Sequence, residues 1–122
     1  MKKIIVLLIL VGLVIAPTFA DGINLGDFPL GKWMDQNYDA IWEFSTGNIR
    51  IVAEDGSVFF DFGEVGIQNF KLGVGADGPF ITFDCSAAGK SYKFSKPITK
   101  ASMLLEITRP EKPLYKVEMP KH

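Results

Sequence analysis

Few of the side chains that usually perform catalysis occur in this sequence, and they do not form a catalytic group. The only histidine is the C-terminal residue His122, which excludes an internal histidine-dependent triad. The only cysteine, Cys85, ends a predicted strand, where a free cysteine usually packs as a small apolar group; a reactive thiol is the alternative. Because no nucleophile, base and orienting group occur together, we expect a protein that is not an enzyme.

Acidic residues and glycines are the next candidates for chemistry. Asp35, Asp39 and Glu43 could contact calcium, yet their spacing fits no calcium loop and a solvated turn is preferred. No acidic residue stands out as buried. The stretch GVGADG, Gly73 to Gly78, has the glycine spacing of a phosphate-binding loop, but Pro79 and another strand follow it, which predicts a hairpin loop. We therefore predict no metal ion and no cofactor.

The first twenty residues have the pattern of an export signal. Lys2 and Lys3 precede an apolar run from Ile4 to Ile15, and small residues lead up to Ala20. This order is typical of a cleaved secretory signal, and the apolar run is too short for a spanning helix. We predict a signal peptide over residues 1–20, a cut after Ala20, and a periplasmic or secreted protein; an uncleaved anchor is the alternative.

Charge and cysteine content limit the partners and the means of stabilisation. Without Lys2 and Lys3, the 13 basic residues become 11 against 14 acidic ones, a net charge of -3. A nucleic-acid partner would need a basic patch, so none is predicted, and neither is a membrane span after signal removal. With a single cysteine no intrachain disulfide can form, and stability must come from apolar burial.

Beyond position 30, apolar residues alternate with polar ones in short runs that Gly, Asn, Asp or Pro separate, which is the pattern of β-strands. Nine strands are predicted: Gly31 to Asp35, Ala40 to Ser45, Asn48 to Ala53, Val58 to Gly63, Gly66 to Gly75, Pro79 to Cys85, Lys90 to Ser95, Met103 to Thr108 and Leu114 to Met119. A short helix is the alternative for Thr99 to Ile107.

Hairpin-forming residues between these runs favour pairing of each strand with the next. The meander predicts an all-β fold: a small antiparallel up-and-down β-barrel of eight to nine short strands over residues 31–119, since closure removes exposed edges. Residues 21–30 form a leader that closes the barrel, and residues 120–122 form a tail. An open sandwich is the alternative.

Every second residue of each strand is expected to face inward, and these residues define a predicted interior that is rich in aromatic residues. Ile41, Val52, Phe59, Phe80 and Leu104 fall on the predicted outer face. The inward set is Trp33, Trp42, Phe44, Ile49, Ile51, Val58, Phe60, Phe62, Phe70, Leu72, Val74, Ile81, Phe83, Cys85, Tyr92, Phe94, Met103, Leu105, Ile107, Tyr115, Val117 and Met119.

Gly31-Lys32-Trp33 on the first strand resembles the lipocalin and wider calycin pattern, in which Gly-x-Trp closes one end of an antiparallel barrel. In that family an arginine from a late strand packs over the tryptophan, which implies that Arg109 is the partner of Trp33. Glycine allows a close approach of the leader, and a cation over an indole contributes about 0.5 to 2 kcal/mol. The alternative for Trp33 is a core aromatic without special partners.

The lipocalin-like resemblance implies a binding protein. We predict that a small apolar or amphipathic ligand lies at one barrel mouth against Trp42, Phe44, Phe60 and Phe62. Strands of about six residues span roughly 20 Å, so an interior filled by side chains is favoured over a large cup.

The stretch CSAAGKSYKF, Cys85 to Phe94, is similar over a few residues to the Ser-Ala-x-Gly-x-x-Tyr loop of periplasmic lysozyme inhibitors of the MliC type. This resemblance implies, as the alternative function, a protein-interaction or inhibitor module that contacts its partner through Ser86, Lys90 and Tyr92. An ordinary hairpin with glycine at a positive φ angle explains the same residues.

A protein partner is also suggested by the outward apolar residues Phe59, Phe80 and Leu104, which could form a larger patch than monomers normally expose. A purely structural protein of the cell envelope is a third alternative.

Overall fold

The computed structural model describes residues 22–122, so the predicted signal peptide lies outside the described residues. These residues form nine strands and one helical turn. Among them, no helix has the length and apolar character needed to cross a membrane. In chain order the elements are β1 (Gly31–Asp35), β2 (Ala40–Ser45), β3 (Asn48–Val52), β4 (Val58–Asp61), α1 (Phe62–Val65), β5 (Gln68–Val74), β6 (Pro79–Cys85), β7 (Lys90–Ser95), β8 (Met103–Thr108) and β9 (Tyr115–Met119).

The strands form two antiparallel sheets, one in the order β1-β2-β3-β4 and one in the order β5-β6-β7-β8-β9. Within each sheet every strand pairs with its neighbours in sequence, so the predicted all-β antiparallel fold is confirmed, but β4 does not pair with β5 and the described strands form two sheets and not one continuous meander. The segment from Thr99 to Ile107 contributes strand β8 and not a helix. Between β4 and β5 the chain changes sheets.

A helical turn makes this change. The predicted fourth strand, Val58 to Gly63, ends at Asp61, whose carboxylate accepts a hydrogen bond from the Glu64 amide at 3.1 Å and caps α1. The Gly63 amide donates to Asn48 Oδ1 at 2.8 Å, and a Cβ at Gly63 would lie 2.5 Å from that oxygen. A side chain at position 63 would displace the Asn48 side chain from this contact, and the turn directs Phe62 into the core with no exposed surface.

On the opposite side, the C-terminal tail connects the two sheets. Beyond β9 the chain runs along β1, where the Met34 amide donates to the Pro120 carbonyl at 3.0 Å and the His122 amide donates to the Lys32 carbonyl at 2.9 Å. Trp33 and Lys121 form the bridge between them. The tail therefore covers the outer edge of β1, which would otherwise be free for unwanted pairing.

Aromatic rings fill the space between the sheets. Trp42 of the four-stranded sheet packs on Phe94 of the five-stranded sheet, with ring centroids 5.1 Å apart, and stacks on Phe62 at 5.6 Å. Phe62 also contacts Phe83 at 5.4 Å and Tyr92 at 5.3 Å. Side chains from both sheets thus form one packed core, in the geometry that aromatic pairs prefer.

The inward assignment of Val58 is wrong, and a β-bulge is the reason. The pairing of β3 with β4 shifts between Ile51 and Val52, so that Ile51 faces Phe60 but Val52 faces Val58. One extra residue on β4 moves Val58 to the outer face, where it is 47% exposed. Val52 itself, predicted to face outward, is buried together with its cross-strand partner Ile41.

The edge strand β5 also departs from the predicted pattern. Leu72 is 44% exposed and Val74 is 82% exposed, although both belong to the predicted inward set. Since β5 pairs only with β6, no strand covers its other edge, and its end lies beyond the core. Phe70 is partly buried against the core.

We expect Phe62→Ala to lower the free energy of unfolding by about 3 to 5 kcal/mol, because it removes a fully buried ring from between the two sheets. The matched control is Phe59→Ala: Phe59 is 61% exposed, so its loss should change stability by at most about 0.5 kcal/mol. Urea unfolding followed by tryptophan fluorescence measures both. Equal losses in the two variants would contradict the described core.

Candidate functional site

A cavity of about 300 Å³ lies at one end of the two sheets. Its lining residues come mostly from strand ends, since Asp35 ends β1, Lys90 begins β7 and Tyr115 begins β9. Both sheets therefore contribute to what we call the end cavity. It is lined by Asp35, Tyr38, Ala40, Trp42, Ile51, Lys90, Ile107, Arg109 and Tyr115.

Three larger depressions, of about 340, 410 and 500 Å³, are lined only by the five-stranded sheet and its loops. Of these four spaces, only the end cavity reaches Trp42 and joins the two sheets. Its volume is at the lower limit for small-molecule sites, which are concave and mainly apolar with a few convergent polar groups. The end cavity is therefore the candidate binding site.

Trp42 forms a buried wall of the end cavity. The residue is 3% exposed, and its indole Nε1 is buried without a hydrogen-bond acceptor among residues 22–122. The other indole differs, since Trp33 Nε1 donates to the Ala101 carbonyl at 2.9 Å. A buried donor without a partner costs about 1 to 3 kcal/mol.

Arg109 is a second residue of the end cavity with a buried donor. Its guanidinium carbon lies 5.7 Å from the centre of the Tyr115 ring, and its Nη2 donates to the Pro113 carbonyl at 2.8 Å. These two contacts hold the side chain in place. Its Nε is buried without an acceptor in the described part of the chain.

The buried carboxylate of Asp35 is part of the same wall. Asp35 is 3% exposed, so the expectation that no acidic residue is buried is wrong. The Tyr115 hydroxyl lies 2.8 Å from Asp35 Oδ2 and 3.0 Å from Asp35 Oδ1. The backbone amide of Asn37 donates to Asp35 Oδ1 at 2.9 Å. Burial raises the pKa of the Tyr115 hydroxyl, the hydrogen bond that this hydroxyl accepts from Asn37 Nδ2 at 2.9 Å lowers it, and Asp35 raises it further. The phenol thus stays protonated and donates to the carboxylate.

The alternation of side chains along β1 indicates that Asp35 faces inward. It follows Trp33 by two positions on one strand, so both side chains point to the same face. The closeness of Asp35, Asp39 and Glu43 in the sequence instead suggests a single acidic cluster. They do not converge: Asp39 lies in a turn, and Glu43 pairs with Arg50 at 2.6 Å. Residues 22–122 contain no group of three or more side chains placed to hold a metal ion.

Of the four residues predicted to contact a ligand, only Trp42 lines the end cavity. Phe44 and Phe62 are 1% and 0% exposed within the packed core, and Phe60 packs against that core from β4. The interior is too full for a ligand to reach them. Ala40, Ile51, Ile107 and Tyr115 were not identified as site residues, because the meeting of strand ends depends on the turn of each hairpin.

The predicted partner of Trp33 is replaced by another cation. Lys121 Nζ, not the Arg109 guanidinium, lies over the Trp33 ring, 4.7 Å from its centre. The tail places Lys121 opposite Trp33 when it pairs with β1, while Arg109 packs on Tyr115. Trp33 is 1% exposed, and Gly31, at φ +138°, leaves room for Lys121, since a Cβ there would lie 2.8 Å from Nζ.

The proposed interaction loop is only partly accessible. Ser86 and Lys90 are exposed, but Tyr92 is 5% exposed and stacks on Phe83 at 5.2 Å. Tyr92 points inward because it alternates with Ser91 and Lys93, so it cannot contact a partner at the surface.

The outer apolar residues do not form one patch. Phe59 belongs to the four-stranded sheet, whereas Phe80 and Leu104 belong to the five-stranded sheet. Phe80 covers Gly73, where a Cβ would lie 2.6 Å from its ring.

The remaining motifs are structural. Cys85 is 1% exposed, with its sulfur 3.7 Å from the Gly66 carbonyl oxygen, in agreement with a small core residue. The GVGADG stretch connects β5 to β6 as the predicted hairpin loop.

Comparisons of this chain with protein families, with curated proteins and with solved structures found no match. A proposal for function therefore depends on the residues of the end cavity.

We expect stability to fall between about pH 10 and pH 12, in part because of Tyr92. Burial raises the pKa of Tyr92 to about 12, with a smaller contribution from Cys85. The unfolded chain loses this proton near pH 10, so the contribution is complete below that pH and is lost as the pH rises through 12. A shift of this size corresponds to about 2 to 3 kcal/mol.

Urea unfolding at about pH 8 and pH 11.5 measures this loss. Tyr92→Phe should reduce the decrease, and the control Tyr38→Phe, at a residue 65% exposed, should leave it unchanged. An undiminished decrease in Tyr92→Phe would contradict the burial of this hydroxyl.

Proposed function

We propose that this chain is an exported, non-enzymatic binding protein that holds a small amphipathic molecule in the end cavity. The observation that carries the proposal is the wall formed by Trp42, whose buried Nε1 has no acceptor among residues 22–122 although the indole borders an open volume. Tryptophan offers a broad apolar surface together with one donor, which suits a molecule with an apolar body and a polar end.

The lining divides into an apolar and a polar part. Trp42, Ile51 and Ile107 offer apolar surface, whereas Lys90 and Arg109 carry charge. Since aromatic side chains fill the space between the sheets, the ligand lies at the end of the fold and must be small.

The proposed architecture is a small lipocalin-like barrel. The tail that joins Lys121 to Trp33 supports closure on one side, and α1 connects the two sheets on the other. The cation over the tryptophan of the Gly-x-Trp stretch is Lys121 of the tail and not an arginine of a late strand, so this contact departs from the family pattern. Export is proposed from the signal pattern of residues 1–20.

A protein-interaction or inhibitor module is the second candidate function. The exposed turn after β6 favours it, because Ser86 and Lys90 border a depression of about 500 Å³. A lysozyme activity assay with the purified protein tests this candidate. Inhibition that Ser86→Ala or Lys90→Ala weakens would support it, and full lysozyme activity at a large excess of the protein would remove it.

Binding to the end cavity should be abolished by filling it. We expect octanoate to bind the unmodified protein in isothermal titration calorimetry, and Ala40→Phe to lose this binding because Ala40 lines the cavity. Ala76→Phe introduces the same ring on an exposed loop and should bind as the unmodified protein does. Unchanged octanoate binding in Ala40→Phe, with the fold intact by circular dichroism, would contradict the proposed site.

A further inference from the structure

The charges that line the end cavity are unequal. Lys90 and Arg109 are positive, and Asp35 is the one negative group in the lining. The Asp35 carboxylate already accepts from the Tyr115 hydroxyl and the Asn37 amide, so its oxygens are engaged within the protein. The Tyr115 hydroxyl in turn accepts from Asn37 Nδ2 at 2.9 Å. Asp35, Asn37 and Tyr115 thus form their hydrogen bonds with one another. Lys90 and Arg109 are left to interact with a ligand.

Neither cation has an acidic partner in the described part of the chain. The ion pairs found among residues 22–122 are Arg50 with Glu43, Lys100 with Glu118 and His122 with Glu54. Arg109 is held over the Tyr115 ring and anchored by Nη2, which fixes the guanidinium plane and leaves Nε without an acceptor. An oriented guanidinium with free donors is suited to a planar anion such as a carboxylate.

Trp42 of the four-stranded sheet and Arg109, which follows β8 of the five-stranded sheet, line the same cavity. Their Nε1 and Nε atoms are themselves buried, so the rest of the Arg109 guanidinium and the Lys90 ammonium are the charged donors that a ligand can meet. Both groups donate and neither can accept, so a molecule that satisfies them must bring acceptor oxygens. A neutral amide could offer one oxygen, but only an anion also gains from Lys90 and Arg109.

We propose that the end cavity selects small amphipathic molecules with an anionic end group of the carboxylate class, and that Arg109 and Lys90 determine this selectivity. The inference rests on the proposed binding function and adds the charge of the ligand to it. Trp42 contributes the apolar wall beside the anion.

Calorimetric titration with three molecules of equal chain length tests the inference: octanoate, octanamide and octylamine. We expect octanoate to bind at least about tenfold more tightly than octanamide, and octylamine to bind most weakly. Added sodium chloride should weaken octanoate binding and leave octanamide binding unchanged.

Variants assign the selectivity to its residues. Arg109→Gln and Lys90→Gln should each reduce the preference for octanoate over octanamide severalfold, whereas Arg109→Lys, which keeps the charge but lacks Nε, should lose part of it. Octanamide binding serves as the internal control for an intact cavity. Lys93→Gln, on the outer face beside Phe80, should keep the full preference.

The outcomes separate the inference from the proposed function. Equal binding of octanoate and octanamide would overturn the anion preference while leaving a binding cavity. Preferred binding of octylamine would overturn it as well, since Asp35 would then dominate the site. Absence of binding by all three molecules would overturn both the inference and the proposed function.

Discussion

Aromatic packing between the two sheets is the interaction on which the rest of this structure depends. The chain has one cysteine, and that residue is buried, so no disulfide holds the sheets together. Trp42 of one sheet contacts Phe94 of the other in the interior. Phe62, the first residue of α1, packs between rings from both sheets. Each fully buried side chain of this size contributes about 1.5 to 3 kcal/mol, which lets a domain of this length fold without crosslinks.

The same packing decides where a ligand can bind. Rings occupy the interior, and the end cavity, which both sheets line, lies where strand ends meet. There the aromatic core gives way to polar groups: the Trp42 wall borders Arg109 and the Asp35–Tyr115 pair. A binding site at this boundary combines an apolar surface with fixed donors. The fold thus favours a small molecule with one polar end over a long apolar chain.

Local sequence patterns predicted the strands well and the connections between distant elements poorly. Alternation and turn residues located all nine strands to within two residues at each end, because both signals are local. The bulge that turns Val58 outward depends on how β3 and β4 pair, and the cap at Asp61 that starts α1 interrupts an apolar run typical of a strand. Neither has a distinct signature in the sequence alone.

The candidate site was predicted only in part for the same reason. Of the residues predicted to contact a ligand, Trp42 lines the end cavity, but its neighbours there come from β1, β7, β8 and β9 among others, and only the folded chain brings them together. Lys121 took the position expected for Arg109 because the tail pairs with β1, a contact between the two ends of the domain. Asp35 could have been found, since it shares its face with Trp33.

The two indole N–H groups provide the most direct test that a ligand binds against Trp42. A ¹H–¹⁵N spectrum should show one signal for each tryptophan, assigned with a Trp33→Phe variant. Saturation with octanoate should shift the Trp42 signal and leave the Trp33 signal in place, because Trp33 Nε1 already donates to the Ala101 carbonyl. If neither signal moves, or if only the Trp33 signal moves, the ligand does not bind in the end cavity.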